Sequence, residues 1–231
     1  DEFLESCNEV SKNIIRFFNQ DFPSVRSLFA SVVSMEVNKL IFKIGQPINQ
    51  LFKYTESNLS INLKPENLTL SKFGSLYGDK FDNKSKELKI FIIGCGSACA
   101  ELLKMLAEYF SDTCLKILLC DKGKVNELNI NRNFIFNQSD IGKFKASEIV
   151  KKFSKYSNFL DIDYLLDYFD DNEYYNELIK NYNVIINTVN NLSLKNMIGE
   201  KCFDNNIPYF TVDYDKLNVT SLCSIPFVTN E

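Results

Sequence analysis

The stretch Leu88-Lys89-Ile90-Phe91-Ile92-Ile93-Gly94-Cys95-Gly96-Ser97-Ala98-Cys99 determines how the chain folds. Its first half is a short apolar run that predicts a buried β-strand, and Gly94 and Gly96 predict a tight turn after it. Apolar residues at helical spacing then predict an amphipathic helix: Leu102, Leu103, Leu106 and Phe110. A glycine turn that opens a helix offers free backbone N–H groups to a phosphate, so Gly94 and Gly96 are candidate nucleotide-binding residues. A purely structural turn is the alternative, because Cys99 stands where a third glycine is usual.

A second predicted strand, residues 115–120, ends directly before Asp121. An acid in this position can bind the hydroxyl groups of a ribose, which makes Asp121 a second candidate. The feature is common to dinucleotide and ATP sites and does not separate them. Its structural alternative is a solvated residue that follows a buried strand.

The polar segment after Asp121 carries three further candidates. Asn129 can form a hydrogen bond with a ribose or a phosphate, and Arg132 can bind phosphates through its planar guanidinium group. Lys145, near the start of the next predicted helix, can bring a point charge to the same phosphates. Two cations beside a triphosphate would stabilise the charge that develops during attack at the α-phosphorus. For either cation taken alone, a solvated surface residue is the favoured interpretation.

Strands alternate with helices from Glu87 onward, and this alternation predicts an α/β fold with a Rossmann-like, mostly parallel sheet and helices on both faces. The further predicted helices span residues 142–156, 173–181 and 193–205. The further predicted strands span residues 159–164, 184–187, 209–212 and 221–225. Residues 1–85 are predicted to form a helical and mixed segment, and residues 86–231 a nucleotide-binding domain. Within the first segment we expect one helix before residue 21, a second over residues 24–42 that Ser24 caps, and loops with short strands over residues 46–85.

Composition narrows the classes of function. The 231 residues carry a net charge of −4, so no basic surface predicts nucleic acid as a partner. The longest apolar run, residues 28–44, contains three charged residues and does not predict a membrane span. Seven scattered cysteines indicate reduced thiols in an intracellular protein. The absence of histidine from the sequence excludes Ser-His-Asp and Cys-His catalysis within it, and the acidic run at residues 161–173 lacks metal-site spacing, so no metal ligand is assigned with certainty.

Taken together, the motifs after Asp121 resemble the Asn-Leu-Asn-Arg signature of ubiquitin-activating enzymes. The matching residues are Asn129-Ile130-Asn131-Arg132, Phe134-Ile135-Phe136, Asp140-Ile141-Gly142-Lys143 and Lys145. The turn Gly94-Cys95-Gly96, Asp121 and residues 184–191 fall in register with the same family, which also includes bacterial adenylating enzymes. The resemblance covers about residues 29–226 and implies that residues 1–85 end a first adenylation repeat. Residues 86–231 would then form most of the second, adenylating repeat.

The resemblance implies ATP-dependent adenylation of the C-terminal glycine of ubiquitin or a ubiquitin-like protein, with Mg²⁺ and ATP as cofactors. Asp121 would bind the ribose and Asn129 the nucleotide, while Arg132 and Lys145 would contact phosphates and act as the catalytic pair. The acyl group would pass to a cysteine beyond Glu231, because the chain is interpreted as a fragment. A conjugating enzyme would bind through the missing domains. The resemblance further implies a place in a ubiquitin conjugation pathway, ligase chemistry, and a location in the cytoplasm or nucleus.

Several positions depart from the family pattern. Gly123 replaces a second acid, Asn133 replaces a glutamine, and Asn190 stands where the family has an aspartate that engages Mg²⁺. An asparagine is the poorer ligand for a hard cation, so Mg-ATP binding should be weaker unless Asp213 or Asp215 compensates. Two alternatives remain open: a catalytically silent repeat that serves as a scaffold or docks the modifier, and an NAD-dependent oxidoreductase.

Overall fold

The computed structural model describes residues 23–43, 88–109, 115–156, 160–215 and 218–224. The chain divides into two compact units, residues 1–84 and residues 85–231. The predicted helix before residue 21 and the predicted loops over residues 46–85 lie outside the described residues. Among the helices that are described, none is long and apolar enough to cross a membrane.

Helix α1, Pro23–Phe42, is the described part of the first unit. It begins at Pro23 rather than after Ser24, so the prediction that Ser24 caps the helix was wrong. Proline is well suited to the first helical position, because its fixed φ matches the helix and its missing N–H would have no partner there. Within the helix, Lys39 Nζ donates to Glu36 Oε1 at 2.7 Å.

The second unit contains a six-stranded sheet with the strand order β3-β2-β1-β4-β5-β6. The strands are β1 (Lys89–Ile93), β2 (Leu115–Cys120), β3 (Leu160–Leu165), β4 (Val184–Asn187), β5 (Tyr209–Asp215) and β6 (Asn218–Ser224). β1 lies at the centre and pairs in parallel with β2 and β4. β6 alone among these strands runs antiparallel, against β5. The predicted α/β class and the mostly parallel sheet are therefore confirmed.

Helices cover both faces of this sheet. The helices that pack on it are α2 (Ser97–Tyr109), α4 (Lys145–Tyr156), α5 (Glu173–Ile179) and α6 (Leu192–Asp204), whereas the short helix α3 (Glu127–Arg132) has no buried residue. Successive side chains of a strand point to opposite faces, and β1 sends Ile92 into one core and Phe91 into the other. The Ile92 core includes Leu103 of α2 and Phe153 of α4. The Phe91 core includes Ile198 of α6 together with Tyr175 and Ile179 of α5.

Two elements between β2 and β3 differ from the prediction. The segment predicted as a polar loop contains the short helix α3, because Asn126 and Asn129 form a capping box at its start. Helix α4 begins at Lys145 rather than at residue 142. Gly142 has a φ of +85°, a left-handed conformation that stops a helix from starting there.

Candidate active site

The candidate residues converge where the carboxyl ends of three neighbouring strands meet. Gly94 follows β1, Asp121 follows β2 and Thr188 follows β4. The chain runs from β1 to β2 and β3 on one side, and then returns to β4 on the other side of β1. In open α/β sheets, ligands bind in the crevice that such a reversal of strand order creates. The glycine turn lies directly above this crevice.

Gly94 is held in a conformation that requires glycine. Its φ is +95°, and a Cβ at this position would lie 2.6 Å from Val189 Cγ2 and 2.8 Å from Thr188 Oγ1. The Thr188 hydroxyl donates to the Gly94 carbonyl at 3.0 Å, which ties the turn to the segment after β4. Gly96 differs, since a Cβ there would meet nothing within 4 Å. The glycine turn is therefore tightly packed around Gly94, whereas there is free space beside Gly96.

Asp121 fixes the turn from the other side. One carboxylate oxygen accepts the Cys95 N–H at 2.8 Å, and the other accepts the Gly123 N–H at 2.5 Å. A carboxylate offers about four lone-pair sites, so both oxygens can still accept a hydroxyl group. The structure thus adds a role to the predicted one, because Asp121 also organises the glycine turn.

Lys145 is brought next to Asp121 by a small antiparallel ladder. The Lys145 N–H donates to the Gly123 carbonyl at 2.9 Å, and Lys124 pairs with Phe144 in a β-bridge. A Cβ on Gly123 would lie 3.1 Å from Lys145 Nζ and 2.7 Å from Asp121 Oδ1. The side chains of Asp121 and Lys145, 24 positions apart in sequence, thus both lie beside Gly123. The absence of a side chain at residue 123 leaves room for them.

Helix α3 carries the other two candidates. Asn129 Oδ1 accepts the Asn126 N–H at 3.0 Å, so the side-chain oxygen serves the capping box and the NH₂ group is the part that can face a ligand. Arg132 lies exposed in the last turn of the helix. Within the described residues, Arg132 and Lys145 have no carboxylate partner, and no hydrogen bond joins Arg132 or Asn129 to Asp121.

A buried ion pair anchors the segment between α3 and α4. Asp140, whose side chain is 4% exposed, forms a salt bridge with Lys152 and accepts the Asn137 N–H at 2.9 Å. Lys152 also donates to the Ile135 carbonyl at 2.6 Å. Burial disfavours the charged Asp140 carboxylate, but the hydrogen bonds from Lys152 and Asn137 outweigh it and hold the pKa at about 2. We call this ion pair and its hydrogen bonds the Asp140 clamp. It fixes the path of the chain between Arg132 and Lys145.

We expect this clamp to make the second unit sensitive to acid. The Asp140 pKa is lower in the folded chain than its usual 3.8, so its contribution is present above about pH 4 and lost as the pH falls towards 2. A shift of this size corresponds to about 2 kcal/mol of the free energy of unfolding. Urea denaturation of wild type and Asp140→Asn at several pH values measures the free energy of unfolding. Only the wild type should lose this contribution of about 2 kcal/mol as the pH falls from 4 towards 2. Glu177→Gln, which removes the exposed Lys180–Glu177 pair, is the control and should change little. Parallel pH curves for wild type and Asp140→Asn would contradict the expectation.

Asn190 does not offer the site that Mg²⁺ requires. It is an exposed, neutral residue, and its Oδ1 accepts a hydrogen bond from Lys195 Nζ at 3.4 Å. Among the described residues no group of three acidic, cysteine or histidine side chains could hold a metal ion. The side chains of Asp213 and Asp215, the predicted substitutes, lie outside the described ones. The donor set described around Asn190 therefore does not fit a magnesium ion.

Three of the described cysteines are buried thiols with a raised pKa, which makes them poor nucleophiles. Cys95, Cys99, Cys120 and Cys202 are buried and Cys223 is exposed, all as free thiols. Burial raises the pKa of Cys120 to about 11 and that of Cys202 to about 12. A hydrogen bond with Cys99, together with burial, raises the pKa of Cys95 as well. Cys95, Cys120 and Cys202 therefore stay protonated at neutral pH, and the thiolate is the reactive form.

Sequence analysis missed three residues that shape the site. Thr188 locks the glycine turn, Asn126 caps α3, and Lys195 lies 7% exposed beside Asn190. The spacing Asn-x-x-Asn at residues 126–129 is a capping signal that could have predicted α3. Thr188 and Lys195 carry no such local signal, because their partners are distant in sequence or depend on how α6 packs.

Comparison with known proteins gives a consistent family. The model of the ThiF family matches residues 66–217. Ubiquitin-activating enzyme E1 1 of Triticum aestivum is 25% identical over 212 residues, which is 84% of this chain and 20% of that protein. Ubiquitin-like modifier-activating enzyme 6 of Homo sapiens is 26% identical over 88% of this chain and 21% of its own length. A probable molybdopterin-synthase adenylyltransferase of Gracilaria tenuistipitata var. liui is 28% identical over 54% of this chain and 34% of its own length.

Solved structures support the fold. A crystal structure of E. coli MccB with MccA-N7isoASN superposes with a TM-score of 0.59 at 22% identity, covering 68% of this chain and 47% of MccB. Identity at this level shows the fold alone, and it agrees with the predicted Rossmann-like sheet. The chain spans about a fifth of the length of the ubiquitin-activating relatives that it matches.

Proposed function

Because the chain belongs to the ThiF family, we propose that it forms the ATP-binding, adenylating part of an enzyme that activates ubiquitin or a ubiquitin-like protein. The single observation that carries the proposal is the meeting of Asp121, Lys145 and the open glycine turn at the carboxyl edge of the sheet. An acid for a ribose, a cation for phosphates and free space at Gly96 are what an adenosine triphosphate needs. The ubiquitin-activating relatives name the substrate class.

The proposed reaction transfers the adenylyl group of ATP to a carboxylate. An oxygen of the substrate's C-terminal carboxylate attacks the α-phosphorus, the bond from that phosphorus to the bridging oxygen of the β-phosphate breaks, and pyrophosphate leaves. Negative charge moves onto the leaving group during this step. Lys145 and Arg132 would neutralise it, since fixed cations in a partly dehydrated site stabilise developing charge strongly. Asp121 would hold the ribose, and the Asn129 NH₂ group would bind the nucleotide.

The wider reaction belongs to the same proposal. Residues 1–85 would end a first adenylation repeat, and the acyl adenylate would pass to a cysteine elsewhere in the protein and then to a conjugating enzyme. The raised pKa values of Cys95, Cys120 and Cys202 support this, because protonated thiols would be poor acceptors of the acyl group. The setting would be the cytoplasm or nucleus.

A silent scaffold is the second candidate, and the neutral Asn190 is the observation that favours it. In such a repeat the fold would persist to dock the modifier or a partner domain while ATP no longer bound. Two cations without carboxylate partners in the described residues argue for ATP instead, because they leave positive charge available to phosphates. Nucleotide binding therefore separates the two candidates.

Calorimetric titration of the chain with ATP tests the proposal, with NAD as the competing nucleotide. We expect saturable ATP binding, no NAD binding, and a loss of about tenfold or more in ATP affinity in Arg132→Ala, since hydrogen bonds to charged groups contribute about 1.5–3 kcal/mol. Arg132 is exposed, so its removal should leave the fold intact. Lys151→Ala removes an exposed cation from α4 and serves as the matched control. ATP-dependent exchange of labelled pyrophosphate in the presence of ubiquitin then tests the reaction itself, and NAD binding in place of ATP would refute the proposal.

A further inference from the structure

A buried hydrogen-bonded network lies directly beside Asp121. Cys120, the last residue of β2, precedes Asp121 and is 2% exposed. Its thiol donates at 3.3 Å to the carbonyl of Asp167, in the loop after β3. The Tyr175 hydroxyl, on α5, donates to an Asp167 carboxylate oxygen at 3.0 Å, and its oxygen lies 3.8 Å from Cys120 Sγ. We call Cys120, Asp167 and Tyr175 the Cys120 network, which joins β2, the loop after β3 and α5.

Tyr175 is the fixed point of the Cys120 network. The residue is 1% exposed, and its ring centroid lies 4.7 Å from that of Phe169. Its backbone N–H donates at 3.1 Å to Asn172 Oδ1, which caps the start of α5. Burial, together with Cys120 and Asp167 beside the hydroxyl, raises the pKa of Tyr175 above its usual value, so the group remains a donor at neutral pH.

Asp167 depends on this donor. Its two carboxylate oxygens accept hydrogen bonds from the Tyr175 hydroxyl and from the Tyr168 N–H, the latter at 2.9 Å. No lysine or arginine of the described residues pairs with this half-buried carboxylate. Without the Tyr175 hydroxyl, one charged oxygen would have no protein donor, and hydration would draw the Asp167 side chain toward solvent. The hydroxyl therefore holds the start of the loop after β3 in place.

The position of this loop determines how the Asp121 backbone is held. The Asp121 N–H donates at 3.2 Å to the carbonyl of Leu165, the last residue of β3 and two positions before Asp167. Cys120 supplies a second connection, because its thiol is bonded to the Asp167 carbonyl while its peptide bond continues into Asp121. Movement at Asp167 would therefore reach Asp121 by two short routes and would reorient its carboxylate.

The phosphate side of the site is anchored elsewhere. Thr188 donates to the Gly94 carbonyl from the β4 side, and the Lys145 backbone is held by its hydrogen bond to Gly123. The Gly94 N–H donates to the Cys120 carbonyl at 2.9 Å, but this bond extends the β1–β2 ladder and does not involve the loop after β3. A ligand that consists of phosphates alone would therefore bind in the same way with or without the Cys120 network.

We propose that Tyr175 is a positioning residue of the nucleotide site, which acts through Asp167 and Cys120 to orient the Asp121 carboxylate for a ribose. The inference rests on the proposed function and deepens it, because it concerns how the same site recognises the nucleoside part of ATP. Hydrogen bonds weaken steeply when donor and acceptor are misaligned, so a small rotation of the carboxylate is enough to lower affinity. The Cys120 network should thus matter for ligands that carry a ribose and not for bare phosphates.

Calorimetric titration of the chain with ATP and with inorganic triphosphate tests this role. Tyr175→Phe removes only the hydroxyl group, and its affinity for ATP should fall by about three- to tenfold, the effect of one weakened hydrogen bond. Its affinity for triphosphate should stay within about twofold of the wild-type value. Tyr182→Phe is the matched control. Tyr182 packs on Phe91 in the same core, with 5.3 Å between ring centroids, and its hydroxyl has no hydrogen bond within the described residues. Both of its affinities should equal those of wild type.

A second pair of variants keeps the inference testable if Tyr175→Phe does not fold. Cys120→Ala removes the thiol that bonds Asp167 and should show the same selective loss of ATP affinity. Cys202→Ala removes a buried thiol of the same core that makes no hydrogen bond in the part of the chain that is described, and it should not. Equal losses for ATP and triphosphate, or no loss at all, would overturn the inference and leave the proposed function standing. A wild-type chain that bound no ATP would contradict both.

Discussion

Gly94→Ala is expected to destabilise the second unit by about 3 kcal/mol or more. An alanine at a φ of +95° adopts a backbone conformation that side chains rarely tolerate, which costs on the order of 1–3 kcal/mol. The new Cβ would also lie 2.6 Å from Val189 Cγ2 and 2.8 Å from Thr188 Oγ1. Both neighbours are held in place, since Thr188 is buried and bonded to the Ile93 and Gly94 carbonyls. Relief of the overlap therefore requires the loop to move, at about 1–3 kcal/mol more.

Gly96→Ala is the matched control for this substitution. A Cβ at Gly96 would meet nothing within 4 Å and its φ is not in the left-handed region, so stability should change by less than about 0.5 kcal/mol. Urea denaturation of both variants, followed by circular dichroism, measures the difference in free energy. Gly96→Ala should nevertheless weaken ATP binding, because its methyl group would occupy the open side of the turn. Similar denaturation midpoints for Gly94→Ala and wild type would refute the steric account of Gly94.

The local pattern of the sequence predicted the core of the fold because the strands there are short apolar runs. Residues 115–120 and 184–187 were predicted with the bounds that the structure shows, since both strands are largely buried and breakers or polar residues flank them. The predicted start of α4 at residue 142 was wrong, because nothing in the local pattern of Gly142-Lys143-Phe144 marks the residue at which the helix begins. A left-handed glycine and a β-bridge, which depend on a contact with residues 124–125, set the true start.

Only those residues of the candidate site that belong to short sequence motifs could be predicted from the sequence. Gly94, Gly96 and Asp121 follow strands whose ends could be read from the sequence, and the parallel sheet necessarily brings those ends together. The approach of Lys145 to Asp121 depends on a ladder between residues 123–125 and 142–145, which no periodicity reveals. The burial of Lys195 follows from the packing of α6 on β5, and such contacts between distant elements leave no mark in composition or spacing.

Lys145→Ala is expected to lower ATP affinity by about 10- to 100-fold without a measurable loss of stability. Within the described residues the Lys145 ammonium has no carboxylate partner, and the backbone N–H that bonds Gly123 remains in the variant. The fold therefore loses no hydrogen bond, whereas a phosphate loses a charge-assisted one worth about 1.5–3 kcal/mol. Calorimetry with ATP measures the effect, and urea denaturation checks the stability. Lys151→Ala, which removes an exposed cation from the same helix, is the control.

The double variant Arg132→Ala/Lys145→Ala gives the sharper test, because it asks whether the two cations serve one ligand. Residues that contact the same group usually show coupling of about 0.5–3 kcal/mol, whereas distant residues with no shared partner add independently. No hydrogen bond of the described structure links Arg132 to Lys145, so coupling in ATP affinity would have to arise through the bound phosphates. Non-additive losses in ATP affinity, together with additive effects on the free energy of unfolding, are the expected result. Strict additivity in both measurements would mean that one of these cations does not contact the triphosphate, and the proposed catalytic pair would be reduced to a single residue.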